Sequence, residues 1–155
     1  MALQYLASLS HYVPEAIMCL TMIVLIMIES SYDNNVKGSA KGMLFAAAYI
    51  GLGSTLILLL NKIGNDPQII FTSSLVIDPF SNIAKIVMMI GTGAALYLAR
   101  VSKDIYEEVK AEYVILAVGI LIGGMLLSSA NNMLILYIGV ETLSILSYVM
   151  ASLKK

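Results

Sequence analysis

The chain has 155 residues, of which 59 % are hydrophobic and 12 % charged, proportions that exclude an ordinary water-soluble enzyme. Ten acidic and nine basic residues leave a net charge of −1, too few and too balanced for a nucleic-acid-binding surface, so no nucleic-acid partner is expected. The single Cys19 and single His11 supply neither a disulfide nor, within this chain, the ligands of an iron–sulfur, zinc or bis-histidine haem site.

A membrane-spanning helix needs about 20 mostly apolar residues, because the hydrocarbon layer is roughly 30 Å thick and a helix rises roughly 1.5 Å per residue. Five stretches qualify, and the expected fold is all-α: a polytopic membrane protein forming one transmembrane region over residues 1–155. The first span runs over 13–31, with Pro14 in the opening turn, where a missing N–H costs little. Glu15 beside it reads as a helix-start residue at the positive end of the dipole. The polar run Ser30 to Asn35 ends the span, and the absence of a basic leader before it reads as a retained helix rather than a signal peptide.

The second span, 42–60, carries no charge and stops at the turn formers Asn61 to Pro67. A short loop is expected next. The third span, 79–99, opens at Asp78 and Pro79 and contains one lysine, Lys85. Arg100 to Glu112 is the most charged stretch of the chain. From Tyr113 to Leu153 the only charge is Glu141, and as one helix this stretch exceeds the bilayer about twofold. It is therefore expected to reverse at Ser128, Ser129, Ala130, Asn131 and Asn132, whose side chains suit exposed helix ends, giving spans at 113–130 and 133–153.

Charge placement provides an independent test, since cytoplasmic loops collect Lys and Arg. With five spans, Lys62 lies alone on one side, while Lys37, Lys41, Arg100, Lys103, Lys110, Lys154 and Lys155 share the other. The expected orientation puts the N-terminus outside and the C-terminus in the cytoplasm.

Glu141 is the leading candidate site residue. It falls ninth in the fifth span, within roughly 3 Å of the bilayer centre. Intramembrane carboxylates are costly and commonly mark ion or proton paths, although a neutral glutamic acid hydrogen-bonded to a neighbouring helix has the same sequence. Tyr137, Ser144 and Tyr148 share its helical face and are supporting candidates. Lys85 is the other candidate. With Asp78, Ser81 and Asn82 it forms a polar ladder, which reads equally as the stem of a snorkelling anchor. Glu29 reads as interfacial. Gly119, Gly123 and Gly124 form a small-residue face suited to close packing. No phosphate loop, Ser/His/Asp constellation or carboxylate cluster suggests a cofactor or metal in this chain.

Several residues carry a family resemblance. They are Glu112 and Tyr113; Gly124 and Met125; the run Ser128 to Leu134; Gly139 to Ser144; and Tyr148 to Ala151. With Pro14, Glu15 and Asp78 to Ser81, they resemble the antiporter-like membrane subunits of respiratory complex I, the proton-pumping NADH:quinone oxidoreductase. The resemblance implies that Glu141 corresponds to a glutamate of the fifth helix that pairs with a lysine on a broken seventh helix. It further implies a non-redox, proton-translocating subunit of that enzyme, or the N-terminal part of one, in a bacterial inner membrane. NADH, flavin, iron–sulfur clusters and quinone are then expected on other subunits. The partners are expected to be adjacent antiporter-like and small membrane-arm subunits, together with the lipid bilayer. The sequence departs from the family after the fifth span, at Lys154 and Lys155, so the seventh helix and second inverted repeat are expected from elsewhere, as in a truncated or split subunit. Two rival readings are a subunit of a multi-subunit Na⁺/H⁺ antiporter or membrane-bound hydrogenase, and a structural assembly subunit with no transport site.

Overall fold

A computed structural model describes residues 12–31, 37–62, 67–71, 74–102 and 109–153. His11, the run 32–35, the turn formers 63–66, the charged residues Lys103, Asp104, Glu107 and Glu108, and Lys154 and Lys155 lie outside the described residues.

Five helices make up most of the described chain: α1 (Val13–Ser31), α2 (Lys37–Lys62), α3 (Pro79–Val101), α4 (Lys110–Ser128) and α5 (Met133–Ser152). Each is long and apolar enough to cross a membrane. Their termini follow local chemistry. At α3, Asp78 Oδ1 accepts from the Ser81 amide at 2.7 Å while the Asp78 amide donates to Ser81 Oγ at 3.1 Å, a reciprocal cap with proline at the first helical position. At α5, Asn132 Oδ1 accepts from the Ile135 amide at 2.9 Å. Helix α4 begins at Lys110, three residues before the apolar run, because a charged first turn can extend beyond the hydrocarbon.

Between α2 and α3 the chain is not a simple loop. Strands β1 (Gln68–Ile70) and β2 (Leu75–Ile77) form an antiparallel hairpin pairing Gln68 with Ile77 and Ile70 with Leu75. Its apolar face, Ile70, Leu75 and Ile77, packs against Leu126 and Ile135. The Val76 amide donates to the Ser129 carbonyl at 2.9 Å, and the Asn131 amide donates to the Ser74 carbonyl at 3.1 Å. The hairpin thus supplies backbone partners to the α4–α5 reversal, whose polar groups otherwise meet the edge of the membrane unsatisfied. Phe71, at φ 51°, turns the hairpin in the left-handed region. Its ring stacks edge-on with Tyr12, centroids 5.6 Å apart.

Helix α4 is the hub, packing against α1, α2, α3 and α5. Met18 and Leu25 of α1, Leu44, Phe45 and Leu52 of α2, Met89 and Leu96 of α3, and Val114, Val118 and Leu121 of α4 form the continuous core. Gly51 permits the close approach of α1 and α2, since a Cβ there overlaps the Thr21 side chain. Of the glycines of α4, Gly119 and Gly123 share a face that meets Leu146 and Thr142 of α5, with Met22 of α1 also near Gly119, whereas Gly124 meets Met88 of α3. Helix α5 packs chiefly on α4, through Gly139, Thr142, Leu143 and Leu146, and leaves its other face open.

Candidate functional site

The alternating chain direction places the start of α1, the end of α2 and the start of α3 at the same end of the bundle as the hairpin. The Asp78 cap sets the start of α3, and Ser81, Asn82 and Lys85 on its first two turns face inward and are buried. Lys85 is seventh in its helix and Glu15 third in α1. Side chains lean toward a helix's N-terminus. Lys85 therefore reaches back toward the hairpin end, where its Nζ donates to Glu15 Oε1 in a buried ion pair.

Lys85 is 0 % and Glu15 3 % exposed. Neither residue is what its position in the sequence suggests. Glu15 is in the first turn of α1, but it is a buried partner rather than a solvated helix-start residue. Lys85 does not anchor at the headgroups; its ammonium stays inside the bundle. Lys62, at the end of α2, lies within electrostatic range of both. The Lys62 carbonyl also accepts a long contact from Asn82 Nδ2 at 3.5 Å. Tyr12 stands just outside α1. Burial, then the Glu15 carboxylate and Cys19, push its phenol up to about 12, so it stays neutral at physiological pH.

The second set of candidates lies on α5. Glu141 is exposed near the helix midpoint, on the face turned away from the bundle. Tyr137 and Tyr148 are exposed on either side of it along the helix. Ser144 is half-buried, and its Oγ donates to the Val140 carbonyl at 2.9 Å. The two candidate groups remain separate: Lys85 sits between α1 and α3, and among the described residues no ion pair to Glu141 is present. No cluster of three His, Cys, Asp or Glu suited to a metal occurs among the described residues.

The two exposed surfaces differ in character. The outward residues of α1 include Leu20, Ile23, Val24, Ile26 and Met27, an apolar set suited to lipid. The outward face of α5 carries a carboxylate and two tyrosines among its apolar residues. A carboxylate turned to lipid at that depth costs several kcal/mol, about 2.5–3.5 on insertion scales. Glu141 is thus a costly group to leave against lipid, on a face that is otherwise largely apolar.

The chain is similar to NADH-quinone oxidoreductase subunit N from several bacteria. It is 26 % identical to that of Azorhizobium caulinodans over 153 residues, covering 97 % of this chain and 30 % of the relative. Against that of Laribacter hongkongensis it is 29 % identical over 142 residues, covering 92 % of this chain and 28 % of the relative. A shorter stretch of 81 residues, 51 % of this chain and 16 % of the relative, is 38 % identical to subunit N of Paenibacillus sp.. In the two long matches the chain therefore spans less than a third of the relatives' length. No protein-family model matches the chain.

Proposed function

We propose that this chain works as a membrane subunit, or part of one, in an NADH:quinone oxidoreductase, where it takes part in moving protons across the membrane without a redox centre of its own. The observation that carries the reading is Glu141, an exposed carboxylate halfway along a largely apolar helix, in a chain similar to subunit N. A mid-membrane carboxylate is stabilised by a cationic partner, and such a pair loads and releases a proton when a neighbouring charge moves. In this reading a basic helix of the same complex covers α5 and supplies that partner. Tyr137, Ser144 and Tyr148 extend the hydrogen-bonding face along the helix. The excess of basic residues at the end opposite the hairpin favours an orientation with the hairpin outside, in a bacterial inner membrane. NADH, flavin, iron–sulfur clusters and quinone are assigned to other subunits.

The test is Glu141→Gln in the assembled complex, reconstituted in sealed vesicles. Proton uptake driven by NADH and quinone should fall severalfold, while NADH oxidation by an artificial acceptor stays unchanged. Full proton pumping in the variant would overturn the reading and leave a helical scaffold. Co-purification with a [NiFe] hydrogenase, or with Na⁺/H⁺ antiporter subunits alone, would place the same site in a different assembly.

A further inference from the structure

Among the described residues three buried polar atoms at the hairpin end have no hydrogen-bond partner: Ser129 Oγ in the α4–α5 reversal and, between α1 and α3, Glu15 Oε2 and Asn82 Oδ1. Each residue is only 3 % exposed, and a buried acceptor left unpaired bears its full desolvation penalty. Glu15 and Asn82 belong to one cluster. Lys85 donates to the other oxygen of Glu15 and stands one turn beyond Asn82 on the same buried face of α3. The Asn82 amide turns Nδ2 toward the Lys62 carbonyl, 3.5 Å away, which leaves Oδ1 on the other side without a donor.

We propose that this cluster is a hydrated proton-exchange site. An internal water donates its two hydrogens to Glu15 Oε2 and Asn82 Oδ1 and links the Lys85 ammonium to the hairpin end of the bundle. Water fits better than a metal cation. Glu15 already spends its charge on the Lys85 ammonium, which stands beside both acceptors. That ammonium repels a second cation at close range, whereas a water supplies the donors that both acceptors lack. In each exchange Nζ passes one proton to the water oxygen as the water turns one of its own hydrogens away from its acceptor and gives that proton up toward solvent; the reverse transfer restores the ammonium and both hydrogen bonds. The charge is conserved over the cycle and no co-reactant is needed. The inference goes beyond the proposed function, since it concerns α1 and α3 and stands whether or not Glu141 carries protons.

The experiment uses the full chain in lipid nanodiscs. Infrared spectra in D₂O and D₂¹⁸O should reveal an oxygen-isotope-sensitive O–D band of a confined water. The band should persist in Asn82→Asp, which keeps an acceptor, and vanish in Asn82→Leu. With ¹⁵N-lysine labelling, and Lys85 assigned by its loss in Lys85→Met, hydrogen exchange of the Lys85 ammonium with bulk water should slow by about tenfold in Asn82→Leu, the equivalent of one lost hydrogen bond. Absence of an isotope-sensitive band in the unmodified chain overturns the proposal, even should Asn82→Leu fail to fold. So does unchanged Lys85 exchange in a folded Asn82→Leu. A shift of the Glu15 carboxylate band when Na⁺ replaces choline overturns it in favour of a bound cation. None of these readouts involves pumping, and a negative result is distinguishable from failure of the Glu141 reading.

Discussion

Lys85 is among the largest fully buried side chains of the molecule, and its charge is tolerated because Glu15 meets it across the bundle. Helices α1 and α3 otherwise barely touch, so the pair joins two elements that lack a shared apolar seam. Removing one partner strands the other charge at low dielectric, which costs about 3–5 kcal/mol, whereas replacing both with apolar residues is often neutral. Lys85→Met should therefore destabilise the chain by about that amount, and Glu15→Leu combined with Lys85→Met should recover most of the loss. Denaturant titration in mixed micelles, followed by circular dichroism, measures both; a double variant no more stable than the single one would refute the pairing energy. The sequence exposed half of this feature. A lysine inside an apolar span is visible from composition, but Glu15 carries a complete local explanation as a first-turn acid, which conceals its distant partner. The missing signal was geometric. Spans one and three run in the same direction, so acids and bases near their starts share a depth, and a lysine reaches back about one turn.

Among the elements, the helices were legible and the hairpin was not. Hydrophobic length alone implies five spans, and the caps at Asp78 and Asn132 use residue types that announce a helix start. The strands β1 and β2 have three residues each and are joined through Phe71 at positive φ, not through an Asn-Gly or Asp-Gly turn. Nothing periodic survives in so short a run. Their stability comes instead from Ser129 and Asn131, some fifty residues away in sequence, a tertiary contact invisible to local pattern. The α4–α5 contact was half legible. Small residues on α4 mark close packing, but the reciprocal one, Gly139 on α5, lies against the Leu127 backbone, with a hypothetical Cβ 3.2 Å from its Cα and 3.3 Å from its amide nitrogen. Backbone atoms cannot yield as a side-chain tip can. Gly139→Leu should accordingly destabilise the α4–α5 hairpin by about 1–3 kcal/mol or more, the cost of overpacking. Gly53→Ala, where nothing lies within 4 Å, should be neutral or slightly stabilising through helix propensity. Limited proteolysis and denaturant midpoints of the two variants separate the cases, and equal behaviour would show that α5 is not held by this contact.

At the scale of the whole molecule, four helices share a core centred on α4 while α5 lies along one side of it. The depth of Glu141 was readable from position in the span, but the direction it faces was not. Packing decides direction, and α5 turns Gly139, Thr142 and Leu143 toward α4, leaving Tyr137, Glu141 and Tyr148 outward. The uncharged apolar exposure on α1 and the carboxylate exposed on α5 therefore lead to different expectations for the chain in its assembly: lipid should continue to bathe the first, and protein should cover the second. Spin labels at Ile23→Cys and Tyr148→Cys, both exposed here, in a Cys19→Ser background test this through collision with dissolved oxygen, which concentrates in lipid. In the chain alone both labels should be oxygen-accessible. In the assembled complex the label on α5 should lose most of that accessibility while the label on α1 keeps it. Retained accessibility on α5 would leave Glu141 facing lipid in the working complex, where its insertion cost has no compensating partner and a role in moving protons has no structural support.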